Sequence, residues 1–326
     1  MEHTPQISVL VTSYNREDTL AASLESVLAS SFGDFEVLVV DNQSTDGSVE
    51  VARRYERLDR RVRVHVNEAN LGQFGNRNRA AALARAPFLK YHDSDDLMYP
   101  HCLATLLGPL RAEPRAGFAL SSGTAWPGGP CPMLSTPLMS YRREFLGLGM
   151  FQCGPAGALF RAEVFHRLGG FEDRGAASDY LFWMRACRTV SVLLMPADLF
   201  WYRIHPGQEL QSPKSAASYA LAHGEAWRAL QAPDCPLQGE ELQQARRNWA
   251  WNLFKITYRD LRSSQWGNAW LRLRSCGVSP ADGLRYLRRP KRHFNAGTPL
   301  DVDGGYQIPD WTQFDLAGEP VSSERG

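Results

Sequence analysis

Residues 7–48 read ISVLVTSYNREDTLAASLESVLASSFGDFEVLVVDNQSTDGS. Two short runs of apolar and β-branched residues, 7–13 and 35–41, flank a longer segment, 17–30, whose apolar positions recur at helical spacing. The alternation continues outward. An amphipathic segment over 46–58 precedes "VRVHV" (62–66), a second over 75–86 precedes "PFLKYHD" (87–93), and a third is expected over 100–110. Strands alternating with helices imply right-handed βαβ crossovers and a mainly parallel, buried sheet. The turn chemistry agrees, with Asn15 and Asp46 standing where helix N-caps belong. The expected fold class is α/β, a Rossmann-like sheet flanked by helices.

In such a sheet ligands bind in the crevice beyond the carboxyl ends of the strands. That rim carries Thr12, Ser13, Tyr14 and Asn15 after the first strand, Asp41 and Asn42 after the second, Asn67 and Asn70 after the third, and "DSDD" (93–96) after the fourth. Asp93, Asp95 and Asp96 repel one another at neutral pH, so a bound cation or a helix N-terminus is needed to relieve them. Asp95 or Asp96 could cap a turn ahead of Pro100, yet one cap uses one carboxylate, not three. No Gly-x-Gly-x-x-Gly follows the first strand and no Gly-Lys-Ser/Thr loop is present. A diphosphate on this rim would therefore be held through a divalent ion clamped by carboxylates, and hard oxygen ligands suit Mg²⁺ or Mn²⁺ rather than Zn²⁺.

Composition sets the outer bounds. The 326 residues, 44% of them hydrophobic, suffice for a large α/β domain with an appendage. A formal charge of +1 carries no polyanion-binding signature, so no nucleic-acid partner is expected. The six cysteines form no Cys-x-x-Cys pair, which argues against a disulfide scaffold or zinc site and for reduced thiols in the cytoplasm. No run approaches the roughly 18 apolar residues of a transmembrane helix, and no signal peptide is expected.

Four ordered blocks resemble the family 2 glycosyltransferases, inverting enzymes of the GT-A fold: "SVLVTSYNREDTLAASLESVLASSF", "FEVLVVDNQSTDGS", "NLGQFGNRNRAAALARAPFLKYHDSDD" and "GGFEDRGAASDYLFWMRA". The resemblance spans about residues 5–210. It implies a nucleotide-diphospho-sugar donor, most often a uridine one, and one Mn²⁺ or Mg²⁺. Thr12, Tyr14 and Asn15 fall where the family's first strand meets the nucleotide, Asp41 where an acid accepts from the base, and Arg77 where an arginine reaches the nucleotide. Asp93 and Asp95 match the Asp-x-Asp pair, the first near the ribose and the second on the metal, and Asp96 extends the pair toward the sugar. His205, in "WYRIHPGQELQS" (201–212), stands where a histidine of many relatives reaches back to the metal or diphosphate, with Arg203 beside it. Trp201 and Tyr202 are expected to pack, and His92 departs from the family's apolar habit without an assigned role.

An acceptor hydroxyl must lose its proton as it attacks, which requires a carboxylate or histidine nearby. Asp179, opening the helical segment "DYLFWMRAC" (179–187), aligns with the family's catalytic base, and a helix N-terminus is expected to lower its pKa. Ser178 replaces the usual Glu before it, and Glu172 and Asp173 form the fallback pair. "SSGTAWPGGPCPMLSTPL" (121–138) reads as an acceptor-side loop, and "GPAGALFRAEVFHRLGGF" (154–171) as a strand into a helix, with Gly154 and Gly157 allowing close approach to a sugar. The expected organisation is a catalytic domain over 1–212 (donor half about 1–98, acceptor half about 99–212), a helical region over 213–298 and a polar tail over 299–326.

Between residues 240 and 292 there are 12 Lys or Arg against 4 Asp or Glu, interleaved with tryptophans. Those aromatics could pack on the catalytic domain, or the basic face could rest on anionic lipid; packing with weak peripheral membrane contact is expected. "QARRNW" (244–249) resembles but does not match the Gln-x-x-Arg-Trp motif of processive synthases. The expected activity is transfer of a sugar to a hydroxyl of a saccharide or lipid-linked acceptor in surface-glycan synthesis. A nucleotidyltransferase or a non-catalytic carbohydrate-binding module on the same fold are the alternatives, the first lacking its basic Gly-rich loop and the second having no need of the carboxylates kept here.

Overall fold

The computed structural model describes residues 3–122, 130–205, 208 and 213–277. Its first half alternates as expected: β1 (Ile7–Ser13), α1 (Leu20–Leu28), β2 (Phe35–Asp41), α2 (Ser48–Leu58), β3 (Val62–Val66), α3 (Gln73–Leu83) and β4 (Phe88–Asp93). The two-residue strand β5 (Leu97–Met98) leads into α4 (Cys102–Ala112) and β6 (Ala116–Leu120). Then follow β7 (Met133–Ser135), α5 (Pro137–Phe145), β8 (Ala158–Arg161), α6 (Ala162–Arg167), α7 (Ser178–Ala186), β9 (Ser191–Leu194) and β10 (Phe200–Trp201). Three helices complete the described chain: α8 (Pro213–Ala229), α9 (Gly239–Arg262) and α10 (Trp266–Cys276).

Eight strands form one sheet in the order β3-β2-β1-β4-β8-β6-β9-β7. From β3 to β4 every pairing is parallel, whereas β8 runs antiparallel to both β4 and β6, and β7 antiparallel to β9. Successive side chains of a strand point to opposite faces, and both faces are covered. Ile7, Val9 and Val11 enter one core with Leu20, Leu24 and Val27 of α1 and the leucines of α4, while Leu10, Leu38 and Val40 enter the other with α3, α5 and α7. The result is a helix–sheet–helix sandwich of the GT-A kind.

Chain order reverses between β1 and β4, the place where an open α/β sheet leaves a crevice. Register brings the rim residues together there: Thr12 stands opposite Asp93, and Ser13 opposite Asp41. Three sequence expectations change. Asn15 does not cap α1, which starts at Leu20; its backbone takes a positive φ of 51° and its side-chain oxygen accepts from the Thr45 amide at 2.8 Å. Asp46 stands one residue ahead of the cap position, which Gly47 holds, and its carboxylate accepts from the Ser48 amide at 3.0 Å. Within 121–138, residues 133–135 are a sheet strand rather than loop, because Met133 and Ser135 pair with β9 and are buried.

The helices after residue 213 pack on the same core. Ala222, Ala226 and Leu230 from the α8 end, and Leu237 and Ala245 around α9, belong to the larger hydrophobic cluster. Trp249 packs as expected, its ring 5.4 Å from Phe145 and its indole N–H donating to the His223 carbonyl. Phe254, Trp266 and Trp270 do not; they are exposed. The expected helices beyond 277 and the tail over 299–326 lie outside the described residues.

Candidate active site

The strand ends open onto a cavity of about 880 Å³, lined by Thr12, Tyr14 and Asn15 from the β1 rim, Arg77 from α3, Asp93 and Asp95 after β4, and Asp179 from α7. Seven of the expected residues thus converge from four elements far apart in sequence. Three others do not line it. Asp41 is buried and turned into its own loop, accepting from the Ser44 amide (2.8 Å) and hydroxyl (2.6 Å). The wall beside it is made of amides instead: Asn42 donates to the Asn70 side chain at 2.8 Å and accepts from the Leu71 amide and from Asn67. Asp96 is buried behind the rim and His205 approaches from the segment after β10.

Arg77 is only 4% exposed, lies over the Phe74 ring, and meets Asp93 Oδ1 at 2.5 Å. Burial opposes both charges, but each compensates the other, so the Asp93 carboxyl is held below its ordinary range and the guanidinium is raised. The pair is fixed in its ionised form. Asp96 is the contrary case: burial, with Asp93 and Asp95 close by, pushes its carboxyl up to about 7. Its Oδ1 accepts from the Arg203 amide at 3.0 Å, while Oδ2 is buried without a hydrogen bond. Asp96 therefore ties the 202–205 segment to the β4 rim.

Asp95 Oδ2 meets two donors, Arg16 Nε at 3.3 Å and His205 Nε2 at 3.0 Å. This contact sets an imidazole beside a carboxylate at the edge of the cavity. Among the described residues no group of three or more His, Cys, Asp and Glu gathers as a ready-made cage. A carboxylate and an imidazole are a donor set that fits a divalent ion whose other positions go to phosphate oxygens and water.

Asp179 sits in the first turn of α7, yet its carboxyl is raised to about 6, not lowered as expected. Burial is the main cause and outweighs the Tyr180 amide and the Arg77 charge, which both act the other way. Ser178 staples the turn ahead of it, accepting from the Arg174 amide at 2.8 Å and donating to the Gly175 carbonyl at 2.7 Å. Glu172 is turned away, pairing with Arg174 and Arg185, and neither it nor Asp173 lines the cavity.

Several lining residues went unread in the sequence. Tyr202 faces the cavity rather than packing, and Tyr219 reaches it from α8. Arg16 had a visible signal, a cation directly after the polar end of the first strand and facing an acidic rim; Tyr219 had none, because nothing local links α8 to a strand end. Gly154 lines the cavity, but Gly157 serves the fold, since a Cβ there would collide with the Ser121 carbonyl. His92 is buried with neither ring nitrogen hydrogen-bonded, and burial drives it to about 3, keeping it neutral.

Residues 8–169 match the sequence profile described as Glycosyl transferase family 2. The chain belongs to that family. Among its relatives is TuaG of Bacillus subtilis (strain 168), whose name assigns it provisionally as a teichuronic acid biosynthesis glycosyltransferase; it is 37% identical over 92 residues, 28% of this chain and 36% of TuaG. An uncharacterized glycosyltransferase of Haemophilus influenzae is 23% identical over 231 residues, covering 64% of this chain and 68% of its own length. The chain spans little more than a third of the length of TuaG and of the next B. subtilis relative, EpsE. The fold of this family 2 chain is similar to that of S. aureus TarS 1-349, solved in complex with UDP-GlcNAc (TM-score 0.58, 22% identity, 75% of this chain and 71% of that one). It is also similar to the mannosyltransferase PcManGT of Pyrobaculum calidifontis in complex with GDP-Man and Mn²⁺ (TM-score 0.57, 17% identity, 87% and 79%).

Proposed function

We propose that the protein is an inverting glycosyltransferase that moves a sugar from a nucleotide-diphospho-sugar, a UDP-sugar, to a hydroxyl of a saccharide or lipid-linked acceptor, assisted by Mn²⁺ or Mg²⁺. The observation that carries the reading is the cavity itself, where Asp179 with its raised carboxyl, the Arg77–Asp93 pair and Asp95 share one wall system. The family profile and the UDP-GlcNAc complex of a structural relative support it, and the teichuronic name of TuaG supports an acceptor in surface polysaccharide.

Asp179 takes the proton of the acceptor hydroxyl as its oxygen bonds to the anomeric carbon, and the bond to the diphosphate breaks with its electron pair. A carboxyl near 6 is ionised at neutral pH and more basic than an ordinary aspartate. Asp93, held ionised by Arg77, accepts from ribose hydroxyls, and the Tyr14 ring on the exposed rim flanks the base, with Thr12, Asn15, Asn42 and Asn70 around it. Asp95 and His205 would hold the divalent ion, whose chemistry there would be to neutralise charge on the departing diphosphate. Asp41 acts through Ser44, shaping the loop beneath the base, and Asp96 acts through the Arg203 amide to close the 202–205 segment toward the sugar. The protein works on the cytoplasmic face of a membrane, peripherally attached.

Purified protein incubated with a panel of nucleotide sugars should release UDP slowly and only with Mn²⁺ or Mg²⁺. Release of pyrophosphate from a nucleoside triphosphate would favour the nucleotidyltransferase reading, and sugar binding with no turnover the non-catalytic one.

A further inference from the structure

We infer that Arg16 is a resident counter-cation for Asp95, one that gives up its place to the divalent ion and turns to the donor diphosphate. The inference rests on the metal-assisted reading above. Arg16 Nε donates to Asp95 Oδ2 at 3.3 Å, the same oxygen that His205 meets at 3.0 Å. A divalent ion would draw on the same carboxylate, and the guanidinium charge beside it repels the ion, so the two cations compete for Asp95.

The surroundings let Arg16 leave without stranding a charge. Its Nη1 already donates to the Asn15 carbonyl at 3.1 Å and the Tyr14 carbonyl at 3.3 Å, and its own backbone is anchored by the amide donating to Ser48 Oγ at 2.7 Å. The side chain is 31% exposed and lines the cavity, where a bound diphosphate would lie. A guanidinium's planar fork suits phosphate oxygens, and charge-assisted bonds of this kind are the strong ones.

The consequence is coupling between two ligands. Metal alone places a second cation beside Arg16 on one carboxylate and so weakens the Arg16–Asp95 contact; when the diphosphate arrives as well, Arg16 gains a new anion. Each ligand therefore tightens the other, and by linkage the effect is reciprocal.

The test measures Mn²⁺ binding to the intact chain by electron paramagnetic resonance with and without UDP, and UDP binding in EDTA by calorimetry. In wild type, UDP should tighten Mn²⁺ binding. Arg16→Gln should bind Mn²⁺ alone about threefold more tightly, the gain expected from removing a partly exposed ion pair, and UDP in EDTA about tenfold more weakly. The coupling should shrink, and Arg16→Lys, which keeps the charge but not the fork, should fall between. Unchanged or weaker Mn²⁺ binding in Arg16→Gln would overturn the inference, as would loss of the fold in both variants, which would make Arg16 structural. Failure of wild type to bind Mn²⁺ even with UDP would instead remove the metal reading on which it stands.

Discussion

At the start of α7 two influences act on Asp179 in opposite directions. The helix terminus and Arg77 favour its ionised form, while burial against the cavity wall disfavours it, and burial prevails to bring the carboxyl to about 6. Asp179→Asn keeps the size and much of the hydrogen bonding, so donor affinity should stay near normal while transfer falls about 10²–10⁴-fold. Near wild-type transfer would refute the base assignment. Wild-type transfer should itself decline as pH drops through about 6 and the base protonates. The stability effect has the opposite sense: a raised folded pKa contributes stability that is present below the unfolded value near 3.8 and lost as pH rises through about 6. The Asn variant escapes that loss and should be more stable than wild type at pH 8, by on the order of 2 kcal/mol, and not at pH 4. Thermal melts at both pH values check this, equal differences contradicting it. Residue types at this scale were legible, since Asp93 and Asp95 line the cavity and His205 meets Asp95. Orientation and burial were not: Asp41 is turned away by Ser44, two positions beyond Asn42, and Asp179 is buried by chain segments distant in sequence.

Among the elements, β1 to β4 were readable because each is a short run rich in apolar and β-branched residues that gives way to polar turn residues, whereas β7 is three residues long in a Pro- and Ser-rich stretch without periodicity. The α9–α10 hairpin shows what a count of charges leaves open. Along α9 the exposed residues Phe254, Tyr258 and Leu261 share one face with Lys255 and Arg262, and across the turn at 263–265 Trp266 and Trp270 stand 65% and 64% exposed beside Arg274. Between residues 246 and 277 the one carboxylate, Asp260, is buried and paired with Arg272 at 2.5 Å. Tryptophans flanked by uncompensated cations are the composition of a helix resting on anionic lipid. The protein should co-sediment with vesicles containing phosphatidylglycerol but not with phosphatidylcholine alone, and salt should weaken the binding. Trp266→Ser with Trp270→Ser should reduce it with little change in melting temperature. Equal recovery in the supernatant with both lipids at low salt would reject the membrane face.

Taken as a whole, the molecule builds one site from both ends of its described chain. Asp95 comes from the turn after β4, His205 from the segment after β10, and Tyr219 from α8, whose neighbours Ala222, Ala226 and Leu230 sit in the main core. Removing everything after residue 212 would expose those contacts, so the truncated chain should lose cooperative melting; a sharp transition near the wild-type temperature would show that the helices are dispensable. No helix among the described residues is long and apolar enough to cross a membrane. Calorimetric titration of UDP into the intact protein reads directly whether the strand-end cavity is a cation-dependent nucleotide site. Mn²⁺ should strengthen UDP binding at least tenfold in wild type and leave it unchanged in Asp95→Ala, with the variant's melting curve intact. Mn²⁺-UDP affinity undiminished in Asp95→Ala would contradict it.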